Sequence, residues 1–235
     1  MNSLFGNTPV LSPQFLPDKY RPRTWAEVIG QEKAIKQIQT IAKRSGYGGR
    51  AWWFSGKSGV GKTTIAMLIA RELASDMSIV ELDAGEITPA VLKDIEATMR
   101  TFGLGEKTGR AWIFNEAHGL RKDAIRKLLT LIETPLPRHV CFVFTTTLAG
   151  QKMLFEEQID ASPLLQRCTR IELAQQGLAK AFAERAREIA IAEGLDGQPL
   201  ERYIDLVNEN KGSLRGTLEA IERGAMQLDD AEVAE

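Results

Sequence analysis

Short, nearly continuous apolar runs recur at Ala51 to Ser55, Ser78 to Leu82, Ala111 to Phe114, Val140 to Thr145 and Thr169 to Leu173. Their length and their lack of alternation predict strands buried on both faces. Between most of them, apolar residues fall at three- and four-residue spacing. Ile35, Ile38 and Ile41 mark one face of a helix from Gln31 to about Lys43, which Ser45-Gly46-Tyr47-Gly48-Gly49 should end. Ile65, Met67, Leu68, Ile69 and Leu73 mark a second helix, and Ile125, Leu128, Leu129 and Ile132 a third. Strands alternating with helices predict an α/β fold on a parallel five-stranded sheet, where ligands sit at the carboxyl ends of the strands.

Beyond Leu173 the pattern turns wholly helical: Gly177 to Glu193 closed by Gly194, then Pro199 to Asn208, then Ser213 to Leu228. The chain therefore divides into an α/β domain over 1–174, a small all-helical domain over 175–228, and an acidic, frayed tail over 229–235. So small a helical unit has too little core to stand alone and should pack against a bound nucleotide or a neighbouring subunit. At the other end, Pro9, Pro13, Pro17 and Pro22 predict an extended arm over residues 1–23.

Composition narrows the class. The chain has 235 residues, 43% hydrophobic and 26% charged, with a formal net charge of -1. No global positive field draws it to nucleic acid, so any DNA contact must come from a local patch or from partner chains. Cys141 and Cys168 both lie in apolar or strand-like surroundings, which suits structural thiols in a reducing compartment and gives no zinc site. No apolar run approaches the length of a membrane span and no secretory signal is visible, so a cytoplasmic location is expected, or the nucleoid or host cytoplasm for a viral chain.

Candidate chemistry begins where the first strand ends. Gly56-Lys57-Ser58-Gly59-Val60-Gly61-Lys62-Thr63, followed by Thr64, fits G-x-x-x-x-G-K-[ST] at every fixed position, between a strand-like and a helix-like run. The glycines let backbone N–H groups turn inward around a triphosphate, Lys62 adds a cation for the outer phosphates, and the Thr63 hydroxyl can ligate Mg²⁺. The third run ends in Asn115-Glu116, where a nucleotide hydrolase normally presents Asp-Glu. Glu116 is the candidate general base. Asn115 keeps a carbonyl acceptor for the outer coordination sphere of the metal but lacks the charge, which predicts slowed hydrolysis.

Taken in order, Lys19-Tyr20-Arg21-Pro22, Val28-Ile29-Gly30-Gln31, the phosphate loop, Asn115-Glu116-Ala117-His118, Gln166-Arg167-Cys168 and Gly212-Ser213-Leu214-Arg215 resemble the motif set of clamp-loader ATPases in the AAA+ superfamily. The likeness is to replication factor C small subunits and the bacterial gamma/tau kind. Those proteins usually read Asp-Glu-Ala-His and Ser-Arg-Cys, so Asn115 and Gln166 depart from the pattern. They usually also carry a third helical domain, the collar, which is expected to be lacking here.

The resemblance implies an ATP- and Mg²⁺-dependent AAA+ ATPase whose helical domain acts as a lid. Tyr20, Arg21, Pro22, Val28 and Ile29 would surround the adenine, unless the arm merely packs on the core. Thr147, with Thr146 a near equal, would be the polar sensor at the end of the fourth strand. Arg215 would tie the lid to the γ-phosphate, and Arg167 would reach the nucleotide of a neighbouring subunit as an arginine finger. Arg121, Lys122, Arg126 and Lys127, with Lys93 and Arg100 on the preceding helix, would track a DNA backbone, or else form a solvated face. The implied partners are other AAA+ subunits in a pentamer-type ring, homo- or hetero-oligomeric, a sliding clamp and primer-template DNA. An ATP-binding switch or scaffold with weak hydrolysis, and a branch-migration or helicase-loading ATPase, fit the same residues.

Overall fold

The computed structural model describes residues 15–147 and 161–227. Strands β1 (Arg50–Ser55), β2 (Ile79–Asp83), β3 (Arg110–Asn115), β4 (Val140–Thr146) and β5 (Cys168–Glu172) form one parallel sheet in the order β2-β3-β4-β1-β5. Around it lie helices α1 (Leu16–Lys19), α2 (Glu32–Ser45), α3 (Lys62–Leu73), α4 (Pro89–Thr98), α5 (Lys122–Glu133) and α6 (Ala161–Gln166). Then come α7 (Ala179–Glu193), α8 (Leu200–Glu209) and α9 (Leu214–Glu222).

In β1, β3 and β4 the absence of alternation has a simple cause, that both faces are covered, whereas the edge strands β2 and β5 are mostly half-buried or exposed, contrary to the expectation of burial on both faces. Trp52 and Phe54 of β1, Ile113 of β3 and Val143 of β4 enter one apolar cluster with Ile38 of α2 and Ile65 and Ile69 of α3. Trp53, Phe114, Phe142 and Phe144 point the other way, onto Leu92 and Ile95 of α4 and Ile125 and Leu128 of α5. There the rings of Phe114 and Phe144 stack at 4.8 Å. β4, in the middle, is buried at every position. Because β1 sits between β4 and β5, the chain leaving it must cross over to the far side of the sheet. That reversal opens a crevice at its carboxyl end.

Several boundaries differ from the sequence reading. Residues 1–14 lie outside those described, but from Leu16 the expected extended arm is a short helix: Pro17 pre-sets the first-turn φ and buried Leu16 anchors it. β4 ends at Thr146, so Thr147 follows the strand instead of closing it. Arg100 lies just past α4, whose C-cap is Met99. The last helix stops at Glu222, well short of Leu228, because Gly224 adopts φ 90° and its N–H turns back to the carbonyl of Ile221 at 2.9 Å. Leu228 and the acidic tail 229–235 lie outside the described residues.

The helices after β5 were expected to pack against a nucleotide or another subunit. Within the chain they already pack on the α/β core: Phe182, Ala186 and Ile189 of α7, Tyr203 and Leu206 of α8, and Leu218 and Ile221 of α9 join the same apolar cluster as α2 and α3. Leu16 of α1 is also part of it, and its N–H donates to the Glu222 carboxylate at 3.4 Å. Among the described residues no helix is long and apolar enough to cross a membrane. Cys141 is fully buried, and burial pushes its thiol up to about 12, as expected of a structural cysteine.

Candidate nucleotide site

The loop between Ser55 and Lys62 wraps the amino end of α3. Gly59 and Gly61 both have left-handed backbone, φ 78° and 96°, which a residue with a Cβ adopts only under strain. Gly61 is the N-cap of α3, and a Cβ placed on it would meet nothing within 4 Å, so the loop faces open space there. A Cβ on Gly59 would fall 2.0 Å from the Ser213 hydroxyl at the start of α9. Glycine at 59 is thus needed because the start of α9 touches the loop itself, a reason the motif alone does not reveal.

Lys62 is buried, and its ammonium donates to the carbonyls of Gly56 at 3.2 Å and Lys57 at 2.8 Å. Burial lowers its pKa from the usual lysine value, and the Glu116 charge opposes the shift. Thr63, one residue on, donates its hydroxyl to Asn115 Oδ1 at 3.4 Å. Asn115 Oδ1 also accepts from Thr145 Oγ1 at 3.0 Å, while Asn115 Nδ2 donates to Glu81 Oε2 at 3.2 Å. The oxygens of Thr63 and Asn115 therefore converge at the amino end of α3, a donor set that suits a hard divalent cation such as Mg²⁺.

Glu116 has φ 50° and ψ 44°, a left-handed conformation in a non-glycine residue that costs on the order of 1 to 3 kcal/mol. The 3₁₀ turn Ala117–Gly119 that follows holds it, with the Gly119 N–H on the Glu116 carbonyl at 2.8 Å. The strain turns the side chain out of the sheet: Glu116 is exposed, and His118 Nδ1 lies 3.3 Å from its carboxylate. His118 is itself seated by a 3.2 Å contact with Thr146 Oγ1.

One cleft collects most of the expected residues. Its walls include Tyr20, Arg21, Pro22, Val28 and Ile29 from the amino-terminal segment, Ser58 to Thr64 from the loop and helix α3, Glu116, and Arg215 at the start of α9. Lys57 and Gly56 lie in the loop but outside that lining; Lys57 faces a second depression beside Gln31 and Glu172. Thr147 and Asn115 also lie outside the lining. Phe182, Arg185 and Ile189 of α7 and Leu214 and Leu218 of α9 also line the cleft, and nothing in the sequence marks them as cleft residues. Their helical spacing was legible, but nothing in it said which turns overhang the loop.

Two further contacts hold the cleft. Buried Gln31 donates from Nε2 to the carbonyls of Val60 at 3.3 Å and Ala174 at 3.2 Å, and accepts the Ala174 N–H at 2.8 Å. One amide thereby joins the phosphate loop to the segment between β5 and α7. Replacing it, Gln31→Leu, leaves those groups without partners and should cost about 2 kcal/mol. That corresponds to a fall in melting temperature of roughly 4 to 8 °C, read by a thermal melt, and an unchanged melt would contradict this role. Across the cleft, Glu193 at the end of α7 accepts from Lys19 at 2.6 Å and from the Tyr20 hydroxyl, fastening the amino-terminal segment to α7.

Arg167 is placed apart from all of this. It precedes β5, whose first residue Cys168 pairs with Ala51, whereas the phosphate loop leaves the other end of β1. Five strand residues at about 3.3 Å each put it roughly 17 Å from its own loop. Arg167 is exposed and donates from Nη1 to the Pro163 carbonyl at 3.2 Å. Arg215 is exposed too and forms an ion pair with Glu219 at 3.1 Å.

Of the basic cluster, Lys127 is engaged inside the fold, paired to Glu96 across the α4–α5 contact. Arg121, Lys122 and Arg126 are exposed on or beside the first turns of α5, and Arg121 Nε lies 4.0 Å from Asp123. Lys93 and Arg100 are exposed as well.

Known proteins resemble this chain in sequence and in fold. The family model of the TIP49 P-loop domain matches residues 16–105. DNA polymerase III subunit gamma of Buchnera aphidicola subsp. Schizaphis graminum is 31% identical over 156 residues, which cover 57% of this chain and 42% of that protein. DNA polymerase III subunit tau of Escherichia coli (strain K12) is 29% identical, over 58% of this chain and 24% of that protein. The replication factor C small subunit of Methanoculleus marisnigri is 27% identical over 91% of this chain and 64% of that protein. Among solved structures, Thermotoga maritima RuvB, a Holliday junction branch migration motor, has the same fold at TM-score 0.66 and 23% identity, over 89% of this chain and 65% of that one. The chain spans less than two thirds of the length of each of these relatives.

A parallel sheet in this strand order, a phosphate loop capping α3 and helices α7 and α9 lining the cleft beside it give a P-loop fold of the AAA+ class. In sequence the chain is similar to DNA polymerase III gamma/tau and replication factor C subunits, which makes it clamp-loader-like.

Proposed function

We propose that the chain binds ATP in the cleft between the phosphate loop and the lid, and hydrolyses it slowly, in the service of DNA replication. The observation that carries this reading is the cleft itself, which gathers Tyr20, Arg21, Pro22, Val28, Ile29, the loop, Glu116 and Arg215 around one space. Residues 1–174 form the nucleotide-binding domain and 175–228 the lid, joined at the segment that Gln31 clasps.

Tyr20 to Pro22, Val28 and Ile29 wall the base. The inward N–H groups of residues 56–63 and the amino end of α3 hold the phosphates, with Lys62 as the buried cation beside them. Thr63 and, through the outer sphere, Asn115 hold Mg²⁺, which when bound neutralises charge on the phosphates. Glu116 accepts a proton from the attacking water on its carboxylate, and the left-handed turn keeps that carboxylate out of the sheet. Thr147 or Thr146 orients the water, and Arg215 draws the lid onto the outermost phosphate.

Arg167 completes the site of a neighbouring copy. A cleft at one end of the sheet and an exposed arginine at the other form a head-to-tail pair, the arrangement from which rings of identical subunits are built. ATP would then cement the contact between copies, and hydrolysis would loosen it. We assign the basic face of α5, with Arg121, Lys122 and Arg126, and Lys93 and Arg100 beside it, to sequence-independent contact with the DNA backbone. A sliding clamp on primer-template DNA is the proposed client, in the cytoplasm, nucleoid or host cytoplasm. The clamp-loader relatives support it. The RuvB-like fold supports a second reading, movement of DNA branches without a clamp. An ATP-dependent complex with a clamp on gel filtration selects the first, and strand displacement by the chain alone selects the second.

Asn115 sets the pace in either case. Asn115→Asp restores the missing charge beside Thr63 and should raise ATP turnover by about 10- to 100-fold in a steady-state phosphate-release assay. Turnover unchanged by the substitution would mean that the amide does not limit hydrolysis and that the weak-switch account of this residue is wrong.

A further inference from the structure

An amide is an ambiguous substitute for a carboxylate, because only one of its two ends can face a cation. An Asn side chain has an acceptor oxygen and a donor NH₂, whereas both oxygens of Asp are acceptors. At position 115 the ambiguity is resolved by neighbours on both sides. Asn115 Oδ1 accepts from Thr145 Oγ1 at 3.0 Å and Thr63 Oγ1 at 3.4 Å, and Nδ2 donates to Glu81 Oε2 at 3.2 Å. Turning the amide over would set its NH₂ against hydroxyls and its oxygen against a carboxylate, an acceptor facing an acceptor.

Glu81 reaches Asn115 because of strand register. It stands on β2, opposite Ile113 of β3, and Asp83 stands opposite Asn115, so Glu81 lies two residues short of Asn115 on the same face of the sheet. β2 is an edge strand, and Glu81 is exposed, so the packing of the core does not require a carboxylate there.

The geometry points to Glu81 as a positioning residue of the Mg²⁺ site: it holds the Asn115 amide with its oxygen toward Thr63, and returns, one hydrogen bond further out, the negative charge that an aspartate would have carried. The inference rests on the Mg-nucleotide reading above. It also explains how an asparagine can serve at a position where nucleotide hydrolases carry Asp.

Its test is a metal titration of the full chain that does not depend on turnover. The protein is first saturated with a non-hydrolysable ATP analogue in EDTA, followed by fluorescence, then exchanged into buffer and titrated with Mn²⁺ under electron paramagnetic resonance. Glu81→Ala should weaken Mn²⁺ by about 10-fold, the scale of losses in outer-sphere partners. Glu81→Gln should lose less, since its carbonyl can still accept from Asn115 Nδ2. In an Asn115→Asp background the sign should change: a carboxylate needs no orienting and repels Glu81, so Glu81→Ala should leave Mn²⁺ affinity unchanged or raise it. Thermal melts of the variants at the native value would show that the fold is kept. Native affinity in Glu81→Ala, or an equal loss in the native and Asn115→Asp backgrounds, would overturn the inference while leaving the nucleotide reading intact. Failure of the native chain to take up the analogue at all would overturn both.

Discussion

Replacing Arg167 with alanine should lower ATP turnover by about 10³- to 10⁵-fold, the range measured when an arginine finger is removed. The nucleotide affinity of an isolated protomer should stay where it was. The split follows from position: Arg167 lies at the end of β5 remote from the phosphate loop of its own chain and touches nothing in that cleft. Binding and catalysis should therefore separate cleanly, with the loss falling on turnover. The pairing of Arg167 Nη1 with the Pro163 carbonyl is exposed and local, so the fold should survive the change. A fall in affinity matching the fall in rate would place the residue in the cleft of its own subunit and contradict the head-to-tail arrangement.

Glu116→Gln should cost about 10²- to 10⁴-fold in turnover, the usual contribution of a general base, again with ATP still bound. Glutamine keeps the size of the side chain and cannot take the proton. Since Glu116 is exposed and its backbone is set by the Ala117–Gly119 turn, the substitution should not disturb the sheet. Turnover in the native range would remove Glu116 from the proton path. The two variants also complement each other. A chain with Arg167→Ala retains its own Glu116, and a chain with Glu116→Gln retains its own Arg167. An equimolar mixture should therefore contain some interfaces with both groups, and its rate should exceed the sum of the separate rates.

What the sequence made legible, and what it did not, divides along physical lines. The phosphate loop was readable because its glycines are demanded locally by backbone that turns left-handed at Gly59 and Gly61. The three inner strands were readable because burial on both faces writes a continuous apolar run, as in β4, whereas edge strand β2 has no buried residue. Contacts between segments far apart in the chain left no such trace. The clasp of Gln31 on Val60 and Ala174, the approach of Ser213 to Gly59, and the bond from Asn115 to Glu81 depend on how the elements come together. In sequence each is a single polar residue.

Boundaries misread for a related reason. The last helix keeps its apolar spacing past Glu222, yet Gly224 ends it, and the proline-rich arm hides a turn of helix because Pro17, second in that helix, is as favourable in a first helical turn as in a loop. Charge alone groups Lys127 with its basic neighbours, and only the packing of α4 on α5 shows that Glu96 claims it.

The claim on which the account stands is that this cleft grips a nucleoside triphosphate, and isothermal titration of Mg-ATP into the native chain and into Lys62→Ala tests it most directly. The account predicts a saturable heat at one nucleotide per chain. It also predicts affinity about 10- to 100-fold weaker in Lys62→Ala, the loss of a charge-assisted bond to phosphate. No heat from the native chain at saturating Mg-ATP, or equal affinity in the two proteins, would contradict it.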